Sequence, residues 1–350
     1  MRLLHQDTYC ALRAALVRRA SWSWRRSTTI LALALISALS SAQAQVREAF
    51  IDPTITGPGI EALTELPGAA LRRLDHFVVV DPARSNGFLY VHLVGSGGLP
   101  ENSLIFARHV AESGFHVVSL AYPNWPSVRD LTLNSNDVMA PGRIREERLY
   151  GNDVSLLVDV DQPNSVINRL VRLLEYLDEK FPEEDWARFL DGPEPVWSRL
   201  VIGGHSQGAG HAAYLGQDHA LAGVLMLGGP GDVVPGVGVA DWLTRPAMTP
   251  ALRQFGFVHA EDPNYAVYQL TQTVLGLAAL GPVQDTDLLP PSQWTSHRLT
   301  STRLDVPGEN YHGAVVVDGG LPLDADGRPV YAPVWRFMLD QRVFSDSFAD

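Results

Sequence analysis

The stretch Arg199-Leu200-Val201-Ile202-Gly203-Gly204-His205-Ser206-Gln207-Gly208-Ala209-Gly210-His211 decides how this chain is read. An apolar run of strand length enters the pattern Gly-x-Ser-x-Gly and leaves it as a helix-compatible segment over 208–219. So sharp a turn from strand to helix crowds its own backbone. Gly204 and Gly208 therefore stand where a larger residue would collide. Ser206 is expected at the strand's end with its hydroxyl exposed. The main-chain N–H of Gln207 opens the helix, where unpaired amides and the helix dipole favour an anionic oxygen. The pattern is short enough to recur by chance as an ordinary small-residue turn, so its weight comes from the elements on either side.

Strand-length apolar runs alternate with amphipathic runs on both sides of this turn. Strands are predicted over 75–80, 88–94, 115–121, 221–227, 255–259 and 297–302. Helices are predicted over 100–113, 165–181, 265–280 and 334–339. The clearest is 165–181, where Val166, Leu170, Val171, Leu174 and Leu177 share one face and charges take the other. Continuous rather than alternating apolar strands, separated by helices, imply a mostly parallel central sheet covered by helices on both faces. Reactive groups in such folds collect at the carboxyl ends of strands. Ser206 falls at one such end, and the turn Gly95-Ser96-Gly97-Gly98 at another. Two segments, 124–164 and 264–294, exceed ordinary connections and are expected to wall a pocket as lid-like insertions.

A serine hydroxyl needs a base to take its proton, and the base needs an acid to fix its tautomer. His211 and His219 belong to the helix after Ser206, and His259 lies inside a strand. His297 begins a strand and is the second choice. His312, in the polar loop Glu309-Asn310-Tyr311-His312-Gly313 after the last strand, can reach back over the sheet edge and is the expected base. Asp262, held before Pro263 at the end of the strand 255–259, is the expected acid; Asp232 in the turn after 221–227 is the alternative. Any of these carboxylates could otherwise be a turn or cap residue. The glycine-rich turn would bring the N–H of Ser96, or that of Gly97, to the same oxyanion as Gln207. A phosphate-binding loop is the competing reading of that turn. It fails because Gly-x-x-x-x-Gly-Lys is absent and Lys180 is the sole lysine. A dinucleotide site fails for want of Gly-x-Gly-x-x-Gly.

From about Asp75 to the end, the chain resembles the α/β-hydrolase superfamily, through the Gly-x-Ser-x-Gly turn and the order Ser206, Asp262, His312. The resemblance implies a serine hydrolase of the esterase or lipase kind, acting through an acyl-enzyme on an ester, or less readily an amide. It implies no metal and no organic cofactor. The chain departs from the pattern in having Val94-Gly95-Ser96-Gly97 where many members carry His-Gly-Gly-Gly. The contrasting expectation is a catalytically inactive binding or scaffold protein on the same fold.

Composition narrows the surroundings. Residues 1–44 carry a basic lead, a short apolar run over 30–39 and the small-residue site Ala42-Gln43-Ala44, which together read as a signal peptide cleaved before Gln45. The protein is then secreted or periplasmic. Arg25-Arg26 is followed by no bulky apolar residue at Thr28 or Thr29, so the general secretory route fits at least as well as twin-arginine export. The length of the lead also admits a start codon downstream of Met1. The net charge of the chain is −12. The leader's six arginines and one aspartate carry +5, so the remainder stands near −17. Such a surface repels phosphates and anionic lipids, which argues against nucleic-acid partners and against stable membrane insertion after cleavage. The expected partner is a small-molecule or lipid ester. Cys10, the only cysteine, lies in the leader, so disulfides, thiol nucleophiles and cysteine metal sites are not expected beyond it. Residues 45–74, rich in Pro, Gly and Thr, are expected to form an irregular extension before a single domain over 75–350.

Overall fold

A computed structural model describes residues 46–63 and 74–340. The expected signal peptide lies outside the described residues. The central sheet has nine strands: β1 (Arg47–Ile51), β2 (His76–Val80), β3 (Leu89–Leu93), β4 (His116–Leu120), β5 (Leu200–His205), β6 (Gly223–Leu227), β7 (Gln254–His259), β8 (Gln284–Asp285) and β9 (Arg298–Ser301). Their spatial order is β1-β2-β4-β3-β5-β6-β7-β9-β8. Pairing is antiparallel at β1–β2 and β2–β4 and parallel from β4 onward. β2, β3, β4 and β6 are buried at every position, as the unbroken apolar runs require of strands covered on both faces.

Seven helices accompany the sheet among the described residues: α1 (Leu104–Glu112), α2 (Val128–Thr132), α3 (Ala140–Tyr150), α4 (Val166–Lys180), α5 (Gln207–Asp218), α6 (Tyr265–Val274) and α7 (Ala332–Met338). The sheet separates two apolar cores. On one face the stripe of α4 and the alanines of α5 meet Val91 and Leu93 of β3 and Ile202 of β5. On the other, Phe106 and Val110 of α1 and Trp335 of α7 meet Tyr90, Val117 and Phe257. Successive side chains of a strand point to opposite faces, so adjacent residues such as Tyr90 and Val91 serve different cores. The architecture is the mostly parallel sheet with helices on both faces that the sequence predicts.

Three local differences have physical causes. The stretch expected to be irregular contains β1, a five-residue edge strand paired with β2 in the register Arg47↔Val80 through Ile51↔His76, with Phe50 packed on Phe77. The helix predicted over 265–280 ends at Val274, because Gly276 takes φ +89° and breaks the turn before a short 3₁₀ segment at Leu277–Leu280. The long segment 124–164 contains two helices, α2 and α3. No helix among the described residues is long and apolar enough to cross a membrane.

Candidate active site

The turn after β5 is built as its glycines require. A Cβ at Gly204 would lie 2.5 Å from the Leu93 carbonyl oxygen and from the backbone of Gly208; a Cβ at Gly208 would run into the same carbonyl. The helix thus packs directly against the ends of β5 and β3. Ser206 takes φ 55° and ψ −115°, a sparsely populated conformation for a side-chain-bearing residue. Its N–H donates to the Leu227 carbonyl at 2.9 Å, which anchors the strained residue to β6. Ser206 lines two cavities, one of about 470 Å³ and one of about 250 Å³, and His312 lines both.

His312 and Asp262, far apart in sequence, meet here. His312 Nδ1 lies 2.6 Å from Asp262 Oδ2. A carboxylate can only accept, so Nδ1 carries the proton and Nε2 is left as the basic nitrogen. Asp262 Oδ1 accepts from the Asn264 N–H at 2.8 Å, and the carboxylate is almost fully buried. Burial pushes the Asp262 carboxyl up, but the hydrogen bond and charge of His312 and the Asn264 amide outweigh it and hold it below its usual value. Tyr268 lies along the imidazole, ring centroids 6.2 Å apart at 28°.

His205, inside the Gly-x-Ser-x-Gly pattern, takes a part that the sequence reading missed. Its Nε2 donates to the His312 carbonyl at 2.9 Å, and its ring lies 4.6 Å from the imidazole of His312. Burial, with the nearby His312 second, pushes the His205 imidazole down to about 3, so it stays neutral. The strand end thereby carries the serine and also tethers the loop that bears His312. Its position next to Ser206 was the only sequence signal for this.

The competing residues are engaged elsewhere. The ring nitrogens of His211 have no hydrogen-bond partner among the described residues, and its ring packs on Tyr122 at 5.5 Å. His219 bonds the Tyr150 hydroxyl and stacks on Trp197 at 3.7 Å. His259 bonds the Arg303 carbonyl, and His297 bonds the Gln254 carbonyl while stacking on Phe255. Asp232 receives both forks of the Arg145 guanidinium at 2.6 Å and the Trp242 indole N–H at 2.7 Å.

Gly95-Ser96-Gly97-Gly98 forms a tight turn closed by the Gly98 N–H on the Gly95 carbonyl, with φ +69° at Gly97. A Cβ on Gly95 would come within 3.2 Å of Ser206 Cβ, so this turn touches the serine directly. The Gly97 N–H is already donated to Asn124 Oδ1 at 3.1 Å, which removes it as an oxyanion donor. Ser96 and Gln207 line the larger cavity beside Ser206. Much of the rest of that wall comes from the two long segments, with Val128 and Leu133 from one and Val267 and Tyr268 from the other, and the turn after β6 adds Val233 and Pro235. No cluster of metal-ligating side chains occurs among the described residues.

No family model matches the chain, and no curated protein matches it either. Among solved structures it is similar to a bacterial heroin esterase, at 16% identity over 79% of this chain and 80% of that one, with a TM-score of 0.35. It is also similar to esterase B from Lactobacillus rhamnosis, at 12% identity over 83% and 85% of the two chains, with a TM-score of 0.39. In its own strand order, with β2 alone reversed against its neighbours and a strained serine at the strand–helix turn after β5, the chain has the α/β-hydrolase fold.

Proposed function

We propose that the protein is a serine hydrolase that cleaves a carboxylic ester by way of an acyl-enzyme. The observation that carries this reading is a serine in strained backbone geometry sharing both its cavities with an imidazole whose Nδ1 is held 2.6 Å from a buried carboxylate. Ser206 Oγ bonds to the acyl carbon while its proton passes to His312 Nε2. The carbonyl electron pair moves onto oxygen, where the main-chain N–H groups of Gln207 and Ser96 receive it. Collapse expels the alkoxide, which takes the proton from His312. Water, deprotonated by the same imidazole, then repeats the sequence and releases the acid. Asp262 holds the tautomer throughout and stabilises the imidazolium. The chemistry needs neither metal nor organic cofactor.

The exposed surface of the larger cavity is mostly apolar, with Val128, Leu133, Val233, Pro235 and Val267 set among polar residues, and it suits the hydrocarbon part of a small-molecule or lipid ester. A graded series of p-nitrophenyl acyl esters, short to long, tests this with the purified protein. Hydrolysis by the wild type, reduced by roughly 10⁵-fold or more in Ser206→Ala with an unchanged melting temperature, is the expected result. Equal turnover by the two proteins would overturn the reading. We further propose export with cleavage before Gln45. N-terminal sequencing of the protein recovered from outside the cytoplasm should then begin at Gln45, and an intact residue 1–44 segment would contradict it.

A further inference from the structure

Two arginines that this chemistry does not use are driven into the interior beneath Gln207. Arg145 and Arg148 both project from α3, and each side chain is about 1% exposed. Arg145 spends two N–H groups on Asp232 and donates a third, from Nη1, to the Gln207 carbonyl at 3.0 Å. Arg148 Nη1 donates to Gln207 Oε1 at 2.8 Å, and its Nη2 donates to the Pro126 carbonyl at 2.5 Å. The Gln207 side chain is pinned from two more directions: Oε1 accepts the Val128 N–H at 2.8 Å and Nε2 donates to the Asn124 carbonyl at 2.9 Å. The first residue of α5 is therefore fixed through both its carbonyl and its side-chain amide.

The two guanidinium groups differ in one respect. Arg145 has a carboxylate partner. Arg148 has none among the described residues: it is held by two neutral oxygens, and its Nε has no partner there. Burial pushes its pKa down to about 10, which leaves it a cation at neutral pH. The Glu147 carboxylate next to it acts only through space, its oxygens being taken up by the N–H groups of Val154, Ser155 and Val160. Burying a guanidinium without a bonded anion is costly, and an apolar side chain could fill the same space without that cost. The charge sits against the side chain of Gln207, the first residue of α5, where free amides already favour a negative oxygen.

We propose that Arg145 and Arg148 are positioning residues for the oxyanion site, fixing the direction of the Gln207 main-chain N–H, and that the unpaired Arg148 charge favours the tetrahedral oxyanion over the neutral carbonyl. This rests on the hydrolytic reading of Ser206. The segment that walls the pocket thus also braces the amide on which the negative charge falls. Ground-state binding is untouched by such a device, so its signature is a loss in kcat with KM held.

The test uses the full purified chain, p-nitrophenyl acetate as substrate, and trifluoroacetophenone, which adds to a serine to give a charged tetrahedral adduct. Arg148→Met should lower kcat by about tenfold or more, leave KM within about twofold, and raise the trifluoroacetophenone Ki by the same factor as kcat falls. Arg148→Lys should recover part of both. Gln207→Glu keeps the main-chain N–H and gives Arg148 a counter-ion, but its second oxygen cannot donate to the Asn124 carbonyl as Nε2 does, so its melting temperature is checked before its kinetics are read. It should still lose kcat and trifluoroacetophenone affinity together, because the charge under the oxyanion is cancelled. Unchanged kcat and Ki in folded Arg148→Met or in Gln207→Glu would overturn the inference, as would a rise in KM at constant kcat. A wild-type protein inert towards both the ester and a fluorophosphonate would overturn the hydrolytic reading and this inference with it. An active wild type with unaffected variants overturns the inference alone.

Discussion

Asp232 and Asp262 carry the same carboxylate into opposite surroundings. Asp262 faces an imidazole and one backbone amide, whereas Asp232 is clamped by a guanidinium fork and an indole N–H. The two should therefore fail in different ways. Asp262→Asn can no longer hold Nδ1–H of His312 in the useful tautomer, so kcat should fall by roughly 10⁴-fold while the melting temperature hardly moves. Asp232→Ala leaves Arg145 buried and uncompensated, which costs about 3–5 kcal/mol and should be seen as an earlier urea midpoint. A stable Asp232→Ala protein, or an active Asp262→Asn protein, would reverse these roles. The sequence could rank these two acids only by their place relative to a strand end. It carried no sign that Arg145 would claim one of them. Ser206 was more legible, because Gly204 and Gly208 write the crowding of the turn into the sequence itself.

α4 and α3 mark the limits of reading elements from periodicity. Val166, Leu170, Leu174 and Leu177 of α4 are spaced for one buried face, and all four lie in the core. Leu174 is completely buried, so Leu174→Ala should cost about 2–5 kcal/mol in denaturant unfolding while kcat stays unchanged. A loss below about 1 kcal/mol would mean that the helix packs less closely than described. α3 escapes such reading because it is buried through charged residues. Arg145, Glu147 and Arg148 all face inward, with the Glu147 carboxylate accepting N–H bonds from Val154, Ser155 and Val160. A pattern of hydrophobic residues cannot reveal a helix whose interior contacts are hydrogen bonds. β1 was missed for a different reason: an edge strand of five residues, exposed at Glu48 and Phe50, offers too few buried positions to register.

At the scale of the whole molecule, buried neutral histidines tie stability to pH. Burial pushes His76, His92 and His205 down to about 3. An unfolded chain returns each to its ordinary value near 6.5. Above that pH both states are neutral and nothing is lost. As pH falls from 6.5 towards 3 the unfolded state takes up protons that the folded state refuses, at about 1.4 kcal/mol per group per pH unit. The melting temperature measured by calorimetry should therefore be nearly flat from pH 7 to 8 and fall steeply below pH 6; a flat profile down to pH 4 would contradict this. The mostly parallel sheet and its two helix-covered faces followed from strand and helix spacing, while the order of the strands, the pairing of His312 with Asp262 and the cavities that His312 shares with Ser206 required the folded chain. That convergence is tested most directly by mass spectrometry of the protein after treatment with a fluorophosphonate. A single phosphonyl adduct on Ser206 is expected, formed rapidly in the wild type and lost in His312→Ala. No adduct on Ser206, or one formed equally fast without the imidazole, would contradict it.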